Sequence, residues 1–167
     1  MSSLISSSKS LDPWWVTGFV DGEGCFSISF SQRKKLSYGI EVRPSFSVSQ
    51  SSKRFPPREV MDDIRAFFRC GEIRYSRQDG TYKYEVRSLD DLLITICPHF
   101  ENYPLRTTKQ QDFVTFFQIC ELMKRNHHRS SQGLHKIITL AYTMNPSGKR
   151  KYSEKELLTF MRVEGIV

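Results

Sequence analysis

Asp21 and Glu23 place two carboxylates two residues apart at the end of the segment Val16-Thr17-Gly18-Phe19-Val20-Asp21-Gly22-Glu23-Gly24. Acids at this spacing can share in holding a divalent cation, or they can be solvated charges. Gly18 and Gly22 lie four apart inside an apolar stretch that Asp12 can cap and Pro13 can open as a helix. Each interior glycine costs a helix about 1 kcal/mol relative to Ala. Residues at i and i+4 share a face, so the pair makes a smooth strip that another backbone can approach closely. The acids fall in the last turn, where the helix dipole disfavours negative charge by about 0.3–1 kcal/mol, and no basic residue nearby in sequence relieves them. From the residues alone two accounts stand. The helix ends at Gly22-Glu23-Gly24 with exposed acids, or its penalties are offset by close packing and by a cation held between acids.

The elements that must position these groups are legible from periodicity. After the first helix, Phe26, Ile28 and Phe30 alternate with Ser27, Ser29 and Ser31, and Arg33-Lys34-Lys35 with Ser37 marks a turn. Ile40, Val42, Phe46 and Val48 form the inner row of a second strand, with Glu41, Arg43, Ser45, Ser47 and Ser49 outside. From Pro57 the period becomes helical through Val60, Ile64, Phe67 and Phe68, with Gly71 as the expected terminator. A second strand pair follows. Ile73 and Tyr75 point inward, Gln78-Asp79-Gly80 turns, and Tyr82, Tyr84 and Val86 point inward again. Its outer row carries Arg74, Ser76, Gln78, Lys83, Glu85 and Arg87. Ser88 opens a short helix that Pro98 is expected to end; Thr107 or Thr108 starts another, holding Phe113, Phe116, Phe117 and Cys120. Leu134 to Tyr142 and a Ser153/Glu156 capping box predict two more. The order α-β-β-α-β-β-α plus accessory helices predicts an α+β fold: one four-stranded antiparallel sheet with helices on a single face.

Such a sheet leaves its other face to solvent. Ser, Arg and Gln side chains there can read base edges, and a β-ribbon fits the major groove; an ordinary solvated strand face has the same pattern. Composition leans toward a polyanionic partner, with 25 Lys plus Arg against 18 Asp plus Glu and a net charge of +7. The four cysteines and four histidines show no zinc-finger spacing, and the cysteines read as reduced thiols of an intracellular protein. No apolar run is long enough to cross a membrane, and MSSLISSSKS lacks the apolar core of a secretory signal. Residues 1–10 read as a disordered, Ser-rich tail with a weak likeness to an organellar presequence, and 11–167 as a single domain.

The nine residues Val16 to Gly24 resemble the LAGLIDADG motif of homing endonucleases, with Val16 for the first Leu, Thr17 for Ala and Glu23 for the second acid. Tyr103-Pro104-Leu105-Arg106-Thr107-Thr108-Lys109-Gln110-Gln111-Asp112-Phe113 resembles the family's basic segment before a later helix. Asn145-Pro146-Ser147-Gly148-Lys149-Arg150 is similar to a C-terminal element of some members, so the resemblance runs over roughly residues 11 to 162. It implies the αββαββα fold with a saddle-shaped sheet and C-terminal helices. It also implies a metal-dependent, staggered double-strand cut in a long, approximately palindromic DNA target, leaving 3′ overhangs.

On the same footing, Gly18 and Gly22, with Trp15 and Phe19, would form the interface between two motif helices. Glu23 would hold Mg²⁺ with the Gly24 carbonyl; Mn²⁺ would substitute, and Ca²⁺ would support binding without cleavage. Asp21 would be structural. Gln50 would position water and Lys109, with Arg106 as the rival, would be the basic residue of the site. DNA contacts are expected from Ser27, Ser29, Ser31, Arg43, Ser45, Ser47, Arg74, Ser76, Gln78, Lys83, Glu85 and Arg87 on the sheet. Phosphate contacts are expected from Arg33, Lys34, Lys35, Lys149, Arg150 and Lys151. Leu140 to Gly148 begins with Leu-Ala but lacks both acids, so no second motif is found and a homodimer is expected to supply the second site. An intron RNA maturase on the same fold, with intron RNA as partner, and a catalytically inactive DNA-binding regulator remain the alternatives. Family habit places such a protein inside the cell, in a mitochondrion or chloroplast or otherwise in an archaeal or bacterial cytoplasm.

Overall fold

Alternation of apolar and polar residues builds the centre of the molecule. In the computed structural model, which describes residues 11–51, 57–146 and 148–164, the strands β1 (Gly24–Gln32), β2 (Ile40–Ser51), β3 (Glu72–Ser76) and β4 (Thr81–Val86) form one antiparallel sheet in the order β1-β2-β4-β3. The proposed 1–10 tail and Ser147 lie outside the described residues. Register follows the pattern: Phe26 lies opposite Phe46, and Phe46 opposite Val86. Phe26, Ile28, Phe46, Val48, Tyr84 and Val86 are buried on the side the helices cover.

The helices are α1 (Pro13–Glu23), α2 (Pro57–Phe68), α3 (Leu89–Asp91), α4 (Cys97–Asn102), α5 (Lys109–Lys124), α6 (Ser131–Tyr142) and α7 (Glu154–Glu164). Caps set their starts. The Asp12 carboxylate accepts the Trp15 N–H at 3.0 Å, Ser130 accepts that of Gly133 at 3.2 Å, and Ser153 and Glu156 satisfy each other's N–H groups at 3.2 and 2.7 Å. The core is aromatic. The Phe26 ring sits 5.2–5.4 Å from those of Phe46, Phe100, Phe113 and Phe116, tying the sheet to α4 and α5.

Three local expectations fail for identifiable reasons. Pro98 does not end its helix: the chain passes from α3 through a π-helical stretch, Leu92–Ile96, into α4. There the Cys97 N–H bonds to Leu92 O, five residues back, and this wider turn lets Pro98 open α4 without the clash it would meet in a regular helix. Gly71 does not terminate α2; Arg69, at φ 55°, takes the left-handed position just after Phe68. Gly71 has another duty. At φ 77° it passes so close to β4 that an added Cβ would lie 2.8 Å from Glu85 O. Tyr75, expected inward, is half exposed because β3 is an edge strand of five residues; its ring packs against that of Tyr82, 4.7 Å away.

Candidate active site and nucleic-acid interface

The end of α1 is built so that its two acids meet different fates. Gly24 folds back on the last turn, its N–H bonded to Val20 O, and a Cβ there would sit 2.5 Å from Val20 Cγ1 and 2.7 Å from Val20 O. The chain can therefore leave the helix directly into β1 only with glycine at this position. Asp21 turns toward the segment that precedes α5. Its carboxylate accepts the Arg106 N–H at 2.7 Å, the Thr107 N–H at 3.2 Å and the Thr107 hydroxyl at 2.5 Å. Burial pushes the Asp21 carboxyl up, but the Thr107 and Arg106 donors outweigh it and hold the group below its ordinary value. Glu23 is exposed and, among the described residues, has no hydrogen bond or ion pair.

Lys109, in the first turn of α5, reaches back across this junction. Its ammonium donates to Val20 O at 2.9 Å and Asp21 O at 2.8 Å, at the carbonyl end of α1. The cation that α1 lacks nearby in sequence thus arrives from the far side of the fold. Burial lowers the Lys109 pKa, against the opposing pull of Asp21, Cys25, Glu23 and Asp112. Arg106 contributes its backbone N–H to Asp21. Gln50 lies near the end of β2, opposite Tyr82 and two residues beyond Val48, which is paired with Gly24. It is half-buried, and among the described residues its side chain has no hydrogen-bond partner.

Behind the junction lies a strut that sequence reasoning missed. The Thr17 hydroxyl donates to Tyr103 O at 2.9 Å and stands 3.1 Å from His99 Nε2, which as the Nε2–H tautomer donates to it. His99 is packed among Phe67, Phe68, Phe100 and Tyr103, and burial pulls its pKa down to about 4. A histidine among apolar neighbours was the one available signal. On the outward side, an added Cβ at Gly18 or Gly22 would meet nothing within 4 Å. Trp15 is 45% exposed and stacks on Phe19 at 5.2 Å, so an apolar, smooth helix face is left open.

The solvent face of the sheet differs from expectation. Ser27, Ser29, Ser31, Arg43, Ser45, Arg74, Ser76 and Lys83 reach solvent at least in part, as do Arg87 just past β4 and Gln78 in the β3–β4 turn. Ser47 and Glu85 do not: each is only 6% exposed, because longer neighbours roof this central row. Cations on this face are tied to acids, and Arg43, Arg74, Lys83 and Arg87 each to one two positions away. Glu41 accepts Arg43 at 2.7 Å, Arg33 at 2.9 Å and the Ser31 hydroxyl at 3.0 Å, and the Arg33 and Arg43 hydrogen bonds hold its pKa at about 2. Arg74 bonds to Glu72 at 3.2 Å. Lys83 and Arg87 hold separate oxygens of Glu85, at 3.0 and 2.9 Å. Strand alternation places residues i and i+2 on one face, so these pairs were readable in Glu41-Val42-Arg43 and Lys83-Tyr84-Glu85-Val86-Arg87.

Arg150 is a second correction. Expected on phosphate, it turns inward, donating to Ile28 O at 3.2 Å, Ala141 O at 2.5 Å and Met144 O at 3.1 Å, with its guanidinium over the Tyr142 ring. The carbonyls at the end of α6 draw the cation in. Asn145 adds a bond to Phe26 O at 2.7 Å, so this loop lies along the open edge of β1. Lys34, Lys35, Lys149 and Lys151 remain exposed and, among the described residues, make no ion pair.

The model of the LAGLIDADG endonuclease family matches residues 16–120. A probable intron-encoded DNA endonuclease of Mycosarcoma maydis is 30% identical over 145 residues, covering 87% of this chain and 50% of that protein. The chain spans about a quarter to a half of the length of the first curated fungal relatives it matches. Among solved structures, the homing endonuclease I-TnaI superposes with a TM-score of 0.79 at 33% identity, over 93% of this chain and 99% of that one. An archaeal intron-encoded homing endonuclease in complex with DNA, I-Vdi141I, gives 0.84 at 25%, over 93% and 97%. I-SmaMI, bound to an uncleaved DNA target in the presence of calcium ions, gives 0.78 at 32%, over 89% of this chain but 48% of that one.

Proposed function

Since the chain belongs to the LAGLIDADG endonuclease family, we propose that it is a site-specific DNA endonuclease that makes a metal-dependent, staggered double-strand cut as a homodimer. The observation that carries this reading is the division of labour at the end of α1: Asp21 is engaged by Arg106 and Thr107, while Glu23 is exposed and, among the described residues, unpaired. A carboxylate held at the end of a rigid helix without a partner is suited to a cation that arrives with the substrate.

The residues fit Mg²⁺. That ion keeps most of its waters and takes one or two carboxylates together with substrate phosphates, so it needs no cage of protein ligands. Accordingly, no group of three or more His, Cys, Asp or Glu side chains gathers among the described residues. Bound there, Mg²⁺ would activate water and stabilise the leaving 3′ oxygen. Glu23 and the Gly24 carbonyl would hold it, Gln50 would orient the water, and Lys109 would offset charge developing on the phosphate. Lys109 is preferred to Arg106 because its ammonium stands at the α1 terminus itself, whereas Arg106 serves through its backbone. The open α1 face, with Gly18, Gly22, Trp15 and Phe19, would pack on its two-fold mate and bring two Glu23 carboxylates together, one for each strand. The match to about half of the I-SmaMI chain supports a working unit of two such halves. Likeness to intron-encoded proteins supports an intron-encoded origin, with an organelle as the compartment.

A library of approximately palindromic plasmid sites, incubated with Mg²⁺, Mn²⁺ or Ca²⁺, tests this. Site-specific cuts with 3′ overhangs are expected in Mg²⁺ and Mn²⁺, binding alone in Ca²⁺, and no cutting by Glu23→Gln. Tight binding that never leads to cutting would replace the enzyme by a regulator. Failure to bind DNA, with binding to intron RNA, would make the protein a maturase.

A further inference from the structure

Glu85 is out of place for a group that reads DNA. It lies at the centre of the solvent face of the sheet, yet its side chain is 5% exposed, against 41% for Lys83 and 58% for Arg87. It also stands directly opposite Glu72 across the β3–β4 pair, an arrangement of like charges that destabilises a sheet unless cations intervene. The cations are present. Each Glu85 oxygen holds one of them, Lys83 Nζ on Oε1 at 3.0 Å and Arg87 Nη2 on Oε2 at 2.9 Å. Both Glu85 oxygens are therefore engaged by protein.

Resting on the DNA-binding reading above, we propose that Glu85 is a positioning residue for target discrimination: a splint that fixes Lys83 and Arg87 at set positions along β4 and does not itself touch a base. The two cations are four residues apart on one face, roughly 13 Å along the strand, or the rise of about four base pairs. Both side chains carry large rotamer entropy and would otherwise sweep over several bases and phosphates. With Lys83 Nζ and Arg87 Nη2 both held on one buried carboxylate, the two head groups present their remaining N–H donors from fixed points, and the splint offsets part of the positive charge that would attract any duplex. Glu41 has the same relation to Arg33 and Arg43 on β2. The sheet face thus gives up some unspecific attraction in exchange for ordered donors.

The test is Glu85→Gln in the full chain, with Kd measured for the selected target, for each single-base-pair variant of it and for an unrelated duplex, over a range of salt. The unrelated duplex should bind several-fold tighter, with a steeper salt dependence. Discrimination should fall by about tenfold at the base pairs facing Lys83 and Arg87. In a Lys83→Met/Arg87→Met background the same substitution should no longer alter discrimination, which separates the splint from a general loss of fold. A changed preference at one base pair alone would mean that Glu85 reads a base directly, and unchanged discrimination would leave it a purely structural acid; either overturns the proposal. A wild-type chain that selects no site would overturn the DNA reading, and the splint with it. A selective wild type with an unaffected variant would overturn the splint alone.

Discussion

Lys109 stands in two relations at once at the residue scale, closing the carbonyl end of α1 and lying beside the exposed Glu23. The two can be separated. Lys109→Met keeps most of the packing and removes the charge, so it should lower stability by only about 0.5–1 kcal/mol, the usual worth of a cation at a helix end. Cleavage should fall by about 10²–10³-fold, the usual cost of removing one group that stabilises charge in the transition state, with target affinity in Ca²⁺ little changed. Equal losses in melting and cleavage would make Lys109 a helix cap only. The sequence discloses the two acids, because a glycine-spaced helix ending in carboxylates is chemically odd on its own, and it nominates Lys109 only through the family resemblance. It does not disclose that Lys109 closes α1, since the two are 88 residues apart and only the fold joins them. Nor does it reveal that Arg150 points inward: a Lys149-Arg150-Lys151 run looks uniformly solvated until the end of α6 is placed beside it.

Elements were easier to read than their ends. Strands β1, β2 and β4 and helices α1, α5, α6 and α7 follow from periodicity and caps, because burial on one face writes itself directly into the residue pattern. The π-helical passage through Leu92–Ile96 was hidden: it depends on how the backbone absorbs Pro98, and no side-chain period reports that. Helix α1 offers the sharpest test at this scale. An added Cβ at Gly22 meets no atom within 4 Å in the isolated chain, and Gly22→Leu improves helix propensity by about 1 kcal/mol, so the monomer should melt no lower. It should nevertheless abolish dimerisation in analytical ultracentrifugation and cutting with it. A variant that sediments as a dimer would place the interface elsewhere.

The buried His99 gives stability of the whole molecule a pH dependence whose sign is fixed. Its folded pKa, near 4, lies below the ordinary value of 6.5, so between these values the unfolded chain binds a proton that the folded chain refuses. Stability is therefore full above about pH 6.5 and falls as pH drops toward 4. Asp21 and Glu41, held below their ordinary values, lose their contributions at lower pH still. Melting temperature should decline from pH 7 to 4, and His99→Gln should flatten that decline while lowering the value at pH 7. An unchanged slope would place the titrating group elsewhere.

The loop laid along β1 bears on how the protein fares in a crowded cell. An edge strand with bare carbonyls is a template for the next chain that passes, whether or not the catalytic groups are intact. Asn145 and Arg150 occupy the Phe26 and Ile28 carbonyls and make that template unavailable. Arg150→Met should therefore show its effect in yield before it shows in chemistry, with more protein in the insoluble fraction at high expression and near-normal specific activity in what stays dissolved. If so, what looks in the sequence like one more substrate-binding cation is a guard against the chain's own copies.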